Sequence, residues 1–345
     1  MPQHELPAGK ARALQSDAAS VGVGAISALV GLIPLGLLTY FSVSLASDAV
    51  KREAEARMSS TAALSANIVR QELQGLTRLV ESYAARPSIV AALRKDTRTS
   101  AENAEIRLHL GELRRAHKGI YTAFLAETDG TLIDIVPATP SIVGKDFSDR
   151  DWYRGLTRSG FPYVSETYRT QAAGEKLVVA GAVFVRDAQG RQLAILVAAY
   201  SLDYLQDFAQ DLATAQEVTL KLTDQRGTLV AAPGRPPSRL VPQRSDPRVA
   251  AALAGESGTL EVDTPDGRRL SAYAPVVPDI GWTVTASLPA KSAFAAVGKL
   301  RSTVFTIAAV LAVILLGALI LLVRALVRDE ELAVRAFEAL VAVGA

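Results

Sequence analysis

The segment from Gly144 to Tyr168 concentrates side chains of the kinds that hold small molecules. It carries a guanidinium, Arg150, close to an indole, Trp152, and two phenols, Tyr153 and Tyr168. An arginine presents a planar fork of donors that fits a carboxylate with two hydrogen bonds, and Trp and Tyr offer apolar walls with one polar tip each. We interpret this short irregular segment as the lining of a pocket for an anionic or zwitterionic ligand. The alternative is a surface turn whose aromatic rings pack on a sheet and whose arginine pairs with a nearby aspartate.

The composition excludes several other kinds of chemistry. The 345 residues contain no cysteine, which excludes disulfides, thiolate catalysis and cysteine-bound zinc. Three histidines leave little for a metal site, and the sequence has no His-Glu-x-x-His, Gly-x-Ser-x-Gly or phosphate-loop motif. The net charge of +2 at pH 7 argues against a dedicated nucleic-acid binder. The sequence therefore predicts that these residues are not an enzyme and have no cofactor, no metal and no nucleic-acid partner.

Residues 21–45 form a first stretch without a charged side chain. A helix of this length crosses a hydrocarbon core of about 30 Å, and Pro34 within it is tolerated in membrane helices. The alternative is a cleaved signal peptide, but the apolar run is too long for one and a second span follows downstream. We predict a transmembrane helix at 21–45, preceded by a cytoplasmic N-terminus at 1–20 that carries Lys10 and Arg12.

Residues 304–323 form a second charge-free stretch, which Arg324 and Arg328 follow. Basic residues beside the predicted spans favour the cytoplasmic side, so both termini are expected inside and residues 46–303 outside. The chain is thus predicted to cross the lipid bilayer of the inner membrane twice, with a periplasmic sensor domain between the spans. Residues 324–345 are predicted to be a helical cytoplasmic linker. They contain no recognisable signalling motif, so we expect the output domain to lie outside this sequence.

The first part of residues 46–117, the predicted stalk, has the pattern of a long helix. Small and apolar residues recur there at alternating spacings of four and three, which is a heptad seam, and Pro87 ends or kinks the helix. A second helical stretch runs near residues 101–117. The seam could pack on its own domain or on a second copy of itself, and with the paired spans it predicts a parallel homodimer. The seam consists of Ala62, Ala66, Val69, Leu73, Leu76, Val80 and Tyr83.

Strand patterns begin at Ile120 and occur twice. The segment F-L-A-E-T-D-G-T-L-I-D-I-V-P at 124–137 resembles K-L-T-D-Q-R-G-T-L-V-A-A-P at 221–233. Each has a strand, a turn whose glycine accepts a positive φ, and a short second strand, and each is followed by an irregular stretch and further strands. We therefore predict two similar α/β modules in tandem, a membrane-distal one at 118–202 and a membrane-proximal one at 203–303, each with an antiparallel sheet.

Four segments carry a resemblance to a known family. They are S-D-R-D-W-Y at 148–153, Tyr168, G-R-Q-L-A-I-L-V-A-A-Y-S-L-D-Y-L at 190–205, and the A-Y-A-P-V and G-W-T-V pair within 272–284. In their order and spacing, residues 46–303 resemble the double Cache sensor domain of bacterial transmembrane receptors. The resemblance implies an α+β fold: a long N-terminal stalk helix and two tandem PAS-like modules with antiparallel sheets, flanked by two transmembrane helices. It also implies that the first module binds the ligand.

The resemblance also implies site residues. In amino-acid-binding members of the family, the Arg and Trp of an R-x-W-Y motif hold the ligand carboxylate, while an acidic residue and further tyrosines hold the ammonium group. Arg150, Trp152, Tyr153 and Tyr168 match this arrangement by position. Tyr121 is included as a further tyrosine of the predicted ligand-binding set.

Three positions depart from the family pattern. Where those members carry a tyrosine this chain has Lys145, where they carry an aspartate it has Thr170, and where they carry another aspartate it has Ala199 and Tyr200. The carboxylate end of the site is kept and the ammonium end is lost, which favours a ligand with net negative charge and no ammonium group. Lys145 would add a second cation, so the expected ligands are organic acids, dicarboxylates included, or amino-acid-like molecules. Lys145 and Thr170 complete the predicted ligand-binding set.

The leading interpretation of the whole sequence is a ligand-sensing receptor. Ligand binding to the first module would shift the stalk helix and the second membrane helix, and the signal would reach a histidine kinase, diguanylate cyclase or chemoreceptor output domain. The alternative is a non-catalytic structural or interaction module of the envelope with a degenerate pocket. An envelope enzyme is a third hypothesis, which no motif of the sequence supports.

Overall fold

The structure, a computed structural model, describes residues 8–95, 98–172, 174–277 and 280–343, with side chains described from Ile33 to Arg328 apart from a few positions. The helices of this part of the chain are α1 (Ala8–Ala84), α2 (Pro87–Leu93), α3 (Ser100–Ala116), α4 (Asp151–Ser159), α5 (Leu202–Ala215), α6 (Pro247–Leu253), α7 (Ala290–Ala293) and α8 (Ala295–Val343). The strands are β1 (Ile120–Ala126), β2 (Leu132–Val136), β3 (Tyr163–Val164), β4 (Tyr168–Arg169), β5 (Leu177–Arg186), β6 (Gln192–Ser201), β7 (Thr219–Thr223), β8 (Leu229–Ala231), β9 (Gly258–Thr264), β10 (Gly267–Val276) and β11 (Trp282–Pro289). The predicted α+β fold, with a long N-terminal helix and two antiparallel sheets, is confirmed.

The first module is built on a sheet of strand order β2-β1-β6-β5-β3, with β4 also paired to β5. One face of this sheet packs on α1: the Tyr200 hydroxyl of β6 donates to the Leu76 carbonyl of α1 at 3.0 Å. Val197 of β6 points to the opposite face, where it joins a hydrophobic cluster with Phe124 and Trp152. Successive strand residues alternate between faces, so the same strands hold the stalk helix on one side and the candidate ligand site on the other.

The heptad seam of α1 packs inside its own domain. Six of its seven residues are between 0% and 5% exposed; they are Ala62, Ala66, Val69, Leu73, Leu76 and Val80. The heptad pattern allows the seam to pack either on a second copy of the helix or on its own domain. In the structure it packs on its own domain. The prediction that a second copy packs along these positions is therefore wrong, because their surface is already buried within the monomer. The exposed side of the same helix carries Leu64, Asn67 and Gln71 instead.

The segment predicted to be irregular contains a helix. Arg150 is extended, with φ −77° and ψ 147°, and α4 begins directly after it. Asp151 stands in the first turn, where a carboxylate is favoured by the helix dipole. Gly160 closes the helix with φ 72°, and its N–H donates to the Leu156 carbonyl at 2.8 Å, which is the left-handed ending that glycine favours. A nine-residue helix is too short to show a clear period in the sequence, so the prediction was wrong here.

The second module repeats this plan with a sheet of strand order β8-β7-β11-β10-β9. Here too a short helix, α6, occupies the stretch that was predicted to be irregular. Asp246 caps it by accepting the Arg248 N–H, and Pro247 takes the first position, where its missing N–H costs nothing. Residues Ala54–Ala293 form one compact unit that contains both modules and their junction.

The residues at the two ends of the chain belong to a second, helical unit. Within the part of the chain that the structure describes, Ser302–Leu322 of α8 is the one segment long and apolar enough to cross a membrane. The first predicted span, 21–45, lies within α1, but the side chains of 21–32 are outside the described residues. That span therefore stays a prediction. In its described part, large apolar side chains are exposed: Ile33, Leu37, Leu38, Tyr40, Phe41 and Leu45.

Candidate ligand-binding site

Consecutive side chains at the start of α4 lie in different environments. Arg150 precedes the helix, and Asp151 and Trp152 occupy its first turn. The Trp152 indole is 1% exposed and belongs to the hydrophobic cluster of the first module. Asp151 instead accepts hydrogen bonds from Glu166 and from Gln225 of the second module. The first turn of one helix thus contributes both to a cavity and to the junction between the modules.

The cavity lies against the sheet of the first module and has a volume of about 30 Å³. That is well below the range of about 300–1,000 Å³ that small-molecule sites occupy. One wall is the Trp152 indole, which packs edge-to-face on Phe124 with ring centroids 5.5 Å apart. In this conformation the cavity is narrow, and Arg150 and Tyr168 are among the residues that line it. The residues of the lining are Phe124, Leu132, Ile135, Ile142, Phe147, Arg150, Trp152, Tyr168, Thr170 and Gln171.

Arg150 is the one charged residue in the lining of this cavity. Its guanidinium carbon lies 5.9 Å from the ring centroid of Phe147 and 5.6 Å from that of Tyr168. Its one ion pair among the described residues joins Nε to Asp149 Oδ1 at 3.9 Å, and the Asp149 side chain is 78% exposed. A long pair to a solvated carboxylate contributes little. The Arg150 guanidinium is therefore held between aromatic rings, with hydrogen-bond donors to spare for an anionic ligand.

Two polar residues join Arg150 at the cavity. Burial raises the pKa of the Tyr168 hydroxyl, although the Arg150 cation lowers it, so Tyr168 stays neutral at ordinary pH and remains a donor. Thr170 is buried, and its hydroxyl oxygen accepts the Ala172 N–H at 3.1 Å. Of the predicted ligand-binding set, the structure thus brings Arg150, Trp152, Tyr168 and Thr170 together around one cavity.

Three residues of the predicted set lie outside that lining. The Tyr153 ring packs on Trp152, and its hydroxyl donates to the Thr128 carbonyl at 3.1 Å. Lys145 is exposed. The Tyr121 hydroxyl stands against Gly174, where an added Cβ would collide with it. The role of all seven residues in ligand binding stays a prediction.

The sequence interpretation missed the apolar part of the lining. Phe124, Leu132 and Ile135 stand on β1 and β2, where their burial is expected of any strand residue facing a core. Phe147 lies inside the segment that had been singled out for its chemistry, so its aromatic ring was the one available signal. Gln171 follows Thr170 directly, yet nothing in a single sequence distinguishes it from an ordinary loop residue.

The junction between the modules is built around Asp151. Its Oδ2 atom accepts the Glu166 N–H at 2.8 Å, the Tyr163 hydroxyl at 3.2 Å and the Gln225 side-chain amide at 3.2 Å. Gln225 belongs to the β7–β8 turn, and its Oε1 accepts the indole N–H of Trp282 at 2.9 Å. Trp282 begins β11 and is 0% exposed. A chain of hydrogen bonds therefore runs from the first turn of α4 to the core of the second module.

The same turn of the second module makes two further contacts with the first. The Thr167 N–H donates to the buried Asp224 carboxylate at 2.8 Å, and Arg226 pairs with Glu166 at 2.6 Å. Burial and the nearby charge of Asp151 raise the pKa of Glu166, and the Arg226 cation lowers it in part. Glu166 and Thr167 directly precede Tyr168, which begins β4, so the cavity and the junction are joined by adjacent residues of one segment as well as by α4.

A comparison with protein families identifies the fold. The Cache domain family model matches residues 46–297, which is most of the chain and includes both modules. The chain therefore belongs to the Cache domain family, in the form of the double Cache sensor domain that the sequence resembles. Within the described residues, no group of three or more His, Asp or Glu side chains is placed to hold a metal ion.

Solved structures of the same fold come from bacterial chemoreceptors. The ligand-binding domain of Pseudomonas fluorescens CtaA, in complex with L-isoleucine, aligns with a TM-score of 0.56 at 18% identity, covering 72% of this chain and 97% of that one. A Campylobacter jejuni chemoreceptor domain in complex with 4-methylisoleucine aligns with a TM-score of 0.52 at 16% identity, covering 71% and 94%. The Pseudomonas aeruginosa PctB domain with L-Arg gives 0.50 at 19% identity, covering 71% and 98%. At such identities the likeness establishes the shared fold.

Proposed function

We propose that this protein is a sensory receptor whose first module binds a small molecule with a carboxylate group. The observation that carries the proposal is that Arg150 is the one charged side chain in an otherwise largely apolar lining. A partly buried guanidinium whose one described ion pair is long and goes to an exposed carboxylate favours an anionic partner, and its planar fork fits a carboxylate better than a lysine would. Trp152 and Tyr168 then form the walls beside the bound group. The proposed role is binding and not catalysis.

The rest of the lining restricts the ligand further. No Asp or Glu lines the cavity, so a ligand ammonium group would find no opposite charge there. Phe124, Leu132 and Ile142 would instead cover an apolar body. Since Lys145 is exposed and outside the lining, its placement offers no support for a second carboxylate. We therefore favour a monocarboxylic organic acid with an apolar body over a zwitterionic amino acid such as the L-isoleucine bound to CtaA.

We also propose that the chain crosses the inner membrane twice and displays both modules in the periplasm. The C-terminal span is supported by Ser302–Leu322, which carries no charged side chain, has a mean hydropathy of 3.0 and is exposed. The N-terminal span is supported by the exposed apolar side chains between Ile33 and Leu45, since such a surface is stable in lipid and costly in water. The signal would leave through α8 toward a cytoplasmic output domain.

The contacts around Asp151 support a path for that signal. A ligand that draws Arg150 and Trp152 together moves the first turn of α4, and Asp151 in the same turn is bonded to Gln225. Gln225 in turn holds Trp282 at the start of β11, and β11 is followed in the chain by α7 and α8. Ligand binding would thus change the preferred conformation of the second module through the hydrogen bonds that join Asp151, Gln225 and Trp282.

We further propose that the receptor is a parallel homodimer, with contacts on the exposed side of α1. Leu64, Asn67, Gln71 and Arg78 are exposed on this helix and recur at spacings of three, four and seven, which places them on one stripe. Leu64 is 51% exposed. Membrane anchoring of both ends raises the effective concentration of one copy for the other. A small contact surface such as this stripe is therefore sufficient for dimerisation.

One observation favours the alternative of a structural module with a degenerate pocket, namely the cavity volume of about 30 Å³. Thermal unfolding of the full chain in detergent, in the presence of a library of organic acids and amino acids, separates the two proposals. A ligand at 100 times its dissociation constant stabilises the folded state by about 2.7 kcal/mol, which raises the midpoint visibly. A sensor shows such a rise with carboxylates, and the rise is lost in Arg150→Ala. A degenerate module shows no rise that Arg150→Ala abolishes.

A further inference from the structure

A much larger cavity lies on the other side of α4, at the junction of the two modules. Its volume is about 490 Å³, which is within the range of about 300–1,000 Å³ that small-molecule sites occupy. Its residues are Asp151, Arg154, Gly155, Arg158, Ser159, Tyr163 and Arg226. Three guanidinium groups therefore converge on one open cavity, two from α4 and one from the second module.

Arg154 and Arg158 stand one helical turn apart on the exposed side of α4. Like charges at this spacing destabilise a helix, and neither arginine has an ion pair within the described residues. The helix dipole favours Arg158, which is in the last turn, but not Arg154 in the middle of the helix. An anion between the two side chains would remove this repulsion.

Arg226 reaches the same cavity from the β7–β8 turn. Its Nε atom pairs with Glu166 Oε2 at 2.6 Å, while its side chain remains 67% exposed. One edge of the guanidinium is thus anchored, and the terminal nitrogens remain accessible from the cavity. An anchored, planar donor of this kind is well suited to bind an oxyanion.

The acidic residue of the cavity does not cancel these charges. The Asp151 Oδ2 atom already accepts three hydrogen bonds, from Glu166, Tyr163 and Gln225. The Tyr163 ring forms the wall beside it, and it can lie so close to α4 only because Gly155 has no side chain. Counting Asp151 against the two unpaired arginines of α4, the cavity keeps an excess of positive charge.

We infer that this junction cavity is a second ligand site, separate from the cavity at Arg150, that binds a small oxyanion carrying two negative charges. Phosphate and short dicarboxylates such as succinate share the required chemistry, which is several oxygen acceptors around a compact double charge. The anion accepts hydrogen bonds from Arg154 and Arg158 of the first module and from Arg226 of the second. It thereby joins α4 to the β7–β8 turn and holds the two modules together.

Isothermal titration of the full chain in lipid nanodiscs tests this site with inorganic phosphate, succinate and acetate, each at constant ionic strength set by sodium chloride. We expect saturable binding of phosphate or succinate, at least tenfold weaker binding of acetate, and a loss of at least tenfold in affinity in Arg158→Gln. Arg154→Gln and Arg226→Gln should each weaken the same anion. Which of the two dianions binds more tightly identifies the source of the ligand.

The controls separate this site from general charge effects and from the proposed sensor cavity. Arg78→Gln removes the same charge from an exposed position of α1 and should leave the affinity within twofold. The titrations are repeated in an Arg150→Gln background, in which the carboxylate contact of the other cavity is removed, so that the binding measured there belongs to the junction cavity. The inference is overturned if no dianion binds saturably, or if Arg78→Gln weakens binding as much as Arg158→Gln does. Thermal unfolding of each variant shows that it is folded, and Arg158→Lys provides a milder change where Arg158→Gln is unstable.

Discussion

At the level of single residues, the proposed ligand chemistry depends on Arg150. Its guanidinium is placed between Phe147 and Tyr168, and its position before α4 fixes the backbone that carries it. We expect Arg150→Lys to lower the affinity for a carboxylate ligand severely, because a lysine ammonium group cannot make the bidentate hydrogen bonds of a guanidinium. Removing one partner of a desolvated charged contact typically costs about 2–5 kcal/mol. Calorimetric titration with the acid found in the thermal screen measures the loss.

Two further variants sharpen that test. Trp152→Ala should weaken binding and also destabilise the fold, because the indole is 1% exposed and packs on Phe124, and such deletions typically cost about 3–5 kcal/mol. Lys145→Ala is the matched control, since Lys145 is exposed and outside the lining, and it should bind like the wild type. Unchanged affinity in both Arg150→Lys and Arg150→Ala would mean that the ligand binds elsewhere. A strong loss of affinity in Lys145→Ala would mean that Lys145 also contacts the ligand, as a second cation of the site.

Glu166 gives a prediction of pH dependence. Burial and the charge of Asp151 raise its pKa above the ordinary value of 4.5, against the effect of Arg226. When an acid has a higher pKa in the folded state, the folded protein holds more protons, so the free energy of unfolding falls as pH rises. We expect this fall in the pH range just above 4.5 and a shallower slope in Glu166→Gln. Chemical unfolding at a series of pH values measures both slopes.

The comparison with a second variant isolates the Glu166 contribution from that of the other acids. Glu256 is exposed, so Glu256→Gln removes a carboxylate of the same type without changing the junction and should keep the wild-type slope. If Glu166→Gln and wild type have parallel curves across this range, then the Glu166 carboxylate is not destabilised by its surroundings and the junction is looser than the structure indicates.

At the level of elements, α1 shows how one sequence pattern allows two structures. Its seam is buried against its own domain, and the exposed stripe with Leu64 and Gln71 faces outward. We expect Leu64→Cys and Gln71→Cys to form disulfide-linked dimers in membranes, whereas Ala66→Cys and Val69→Cys do not. The wild-type chain has no cysteine, so each variant carries one thiol and a crosslink reports only that position.

Oxidative crosslinking followed by non-reducing electrophoresis provides the measurement. Ser82→Cys, at an exposed position near the end of the helix, shows how far along the helix the contact extends. Crosslinks at Ala66 as strong as those at Leu64 would mean that the helix leaves its domain in the membrane-bound protein. An absence of crosslinks at every exposed position would mean that the copies associate elsewhere or not at all.

The elements differ in how well the sequence predicts them. The turns of β1–β2 and β7–β8 repeat a glycine followed by Thr-Leu, and this local chemistry was sufficient to predict two similar modules. Neither α4 nor α6 was predicted, because each is short and its stability depends on packing against a sheet that the sequence does not show. Missing α4 mattered most for the site. Without the helix, the sequence could not predict that Trp152 is buried while the neighbouring Tyr153 donates a hydrogen bond to Thr128.

The candidate site was predictable only in part for the same reason. Arg150 and Trp152 were found because their chemistry is unusual in a short segment. The partners of Asp151 could not be found, because Gln225 is separated from it by 74 positions and contacts of that kind arise from tertiary structure. The burial of the α1 seam was equally hidden, since a heptad pattern is satisfied by either partner.

At the level of the whole molecule, the proposed topology places the two modules on one side of the membrane and α8 through it. Reporter fusions after Arg324 should be active in the cytoplasm, and fusions near Gly190, in the turn between β5 and β6, should be active in the periplasm. The expected result follows from the apolar segment Ser302–Leu322 and the basic residues beyond it. Cytoplasmic activity at Gly190, or periplasmic activity after Arg324, would contradict the two-span arrangement.

The proposed signal path also belongs to the whole molecule, because it joins the cavity of one module to the core of the other. The chain has two tryptophans, one at the cavity and one, Trp282, beyond the junction. In a Trp152→Phe background the fluorescence therefore reports Trp282 alone. We expect the carboxylate ligand to change that emission, because Gln225 links the Trp282 indole to Asp151 beside the cavity.

Gln225→Ala breaks this link and should abolish the ligand-induced change while leaving the affinity within about twofold of the background. It should also destabilise the protein by about 1–3 kcal/mol, because the Trp282 N–H is then buried without an acceptor. Gln210→Ala, at an exposed position of α5, is the matched control and should change neither quantity. An emission change that persists in Gln225→Ala would show that the modules communicate by another route, of which the Thr167–Asp224 contact at 2.8 Å is the next to test.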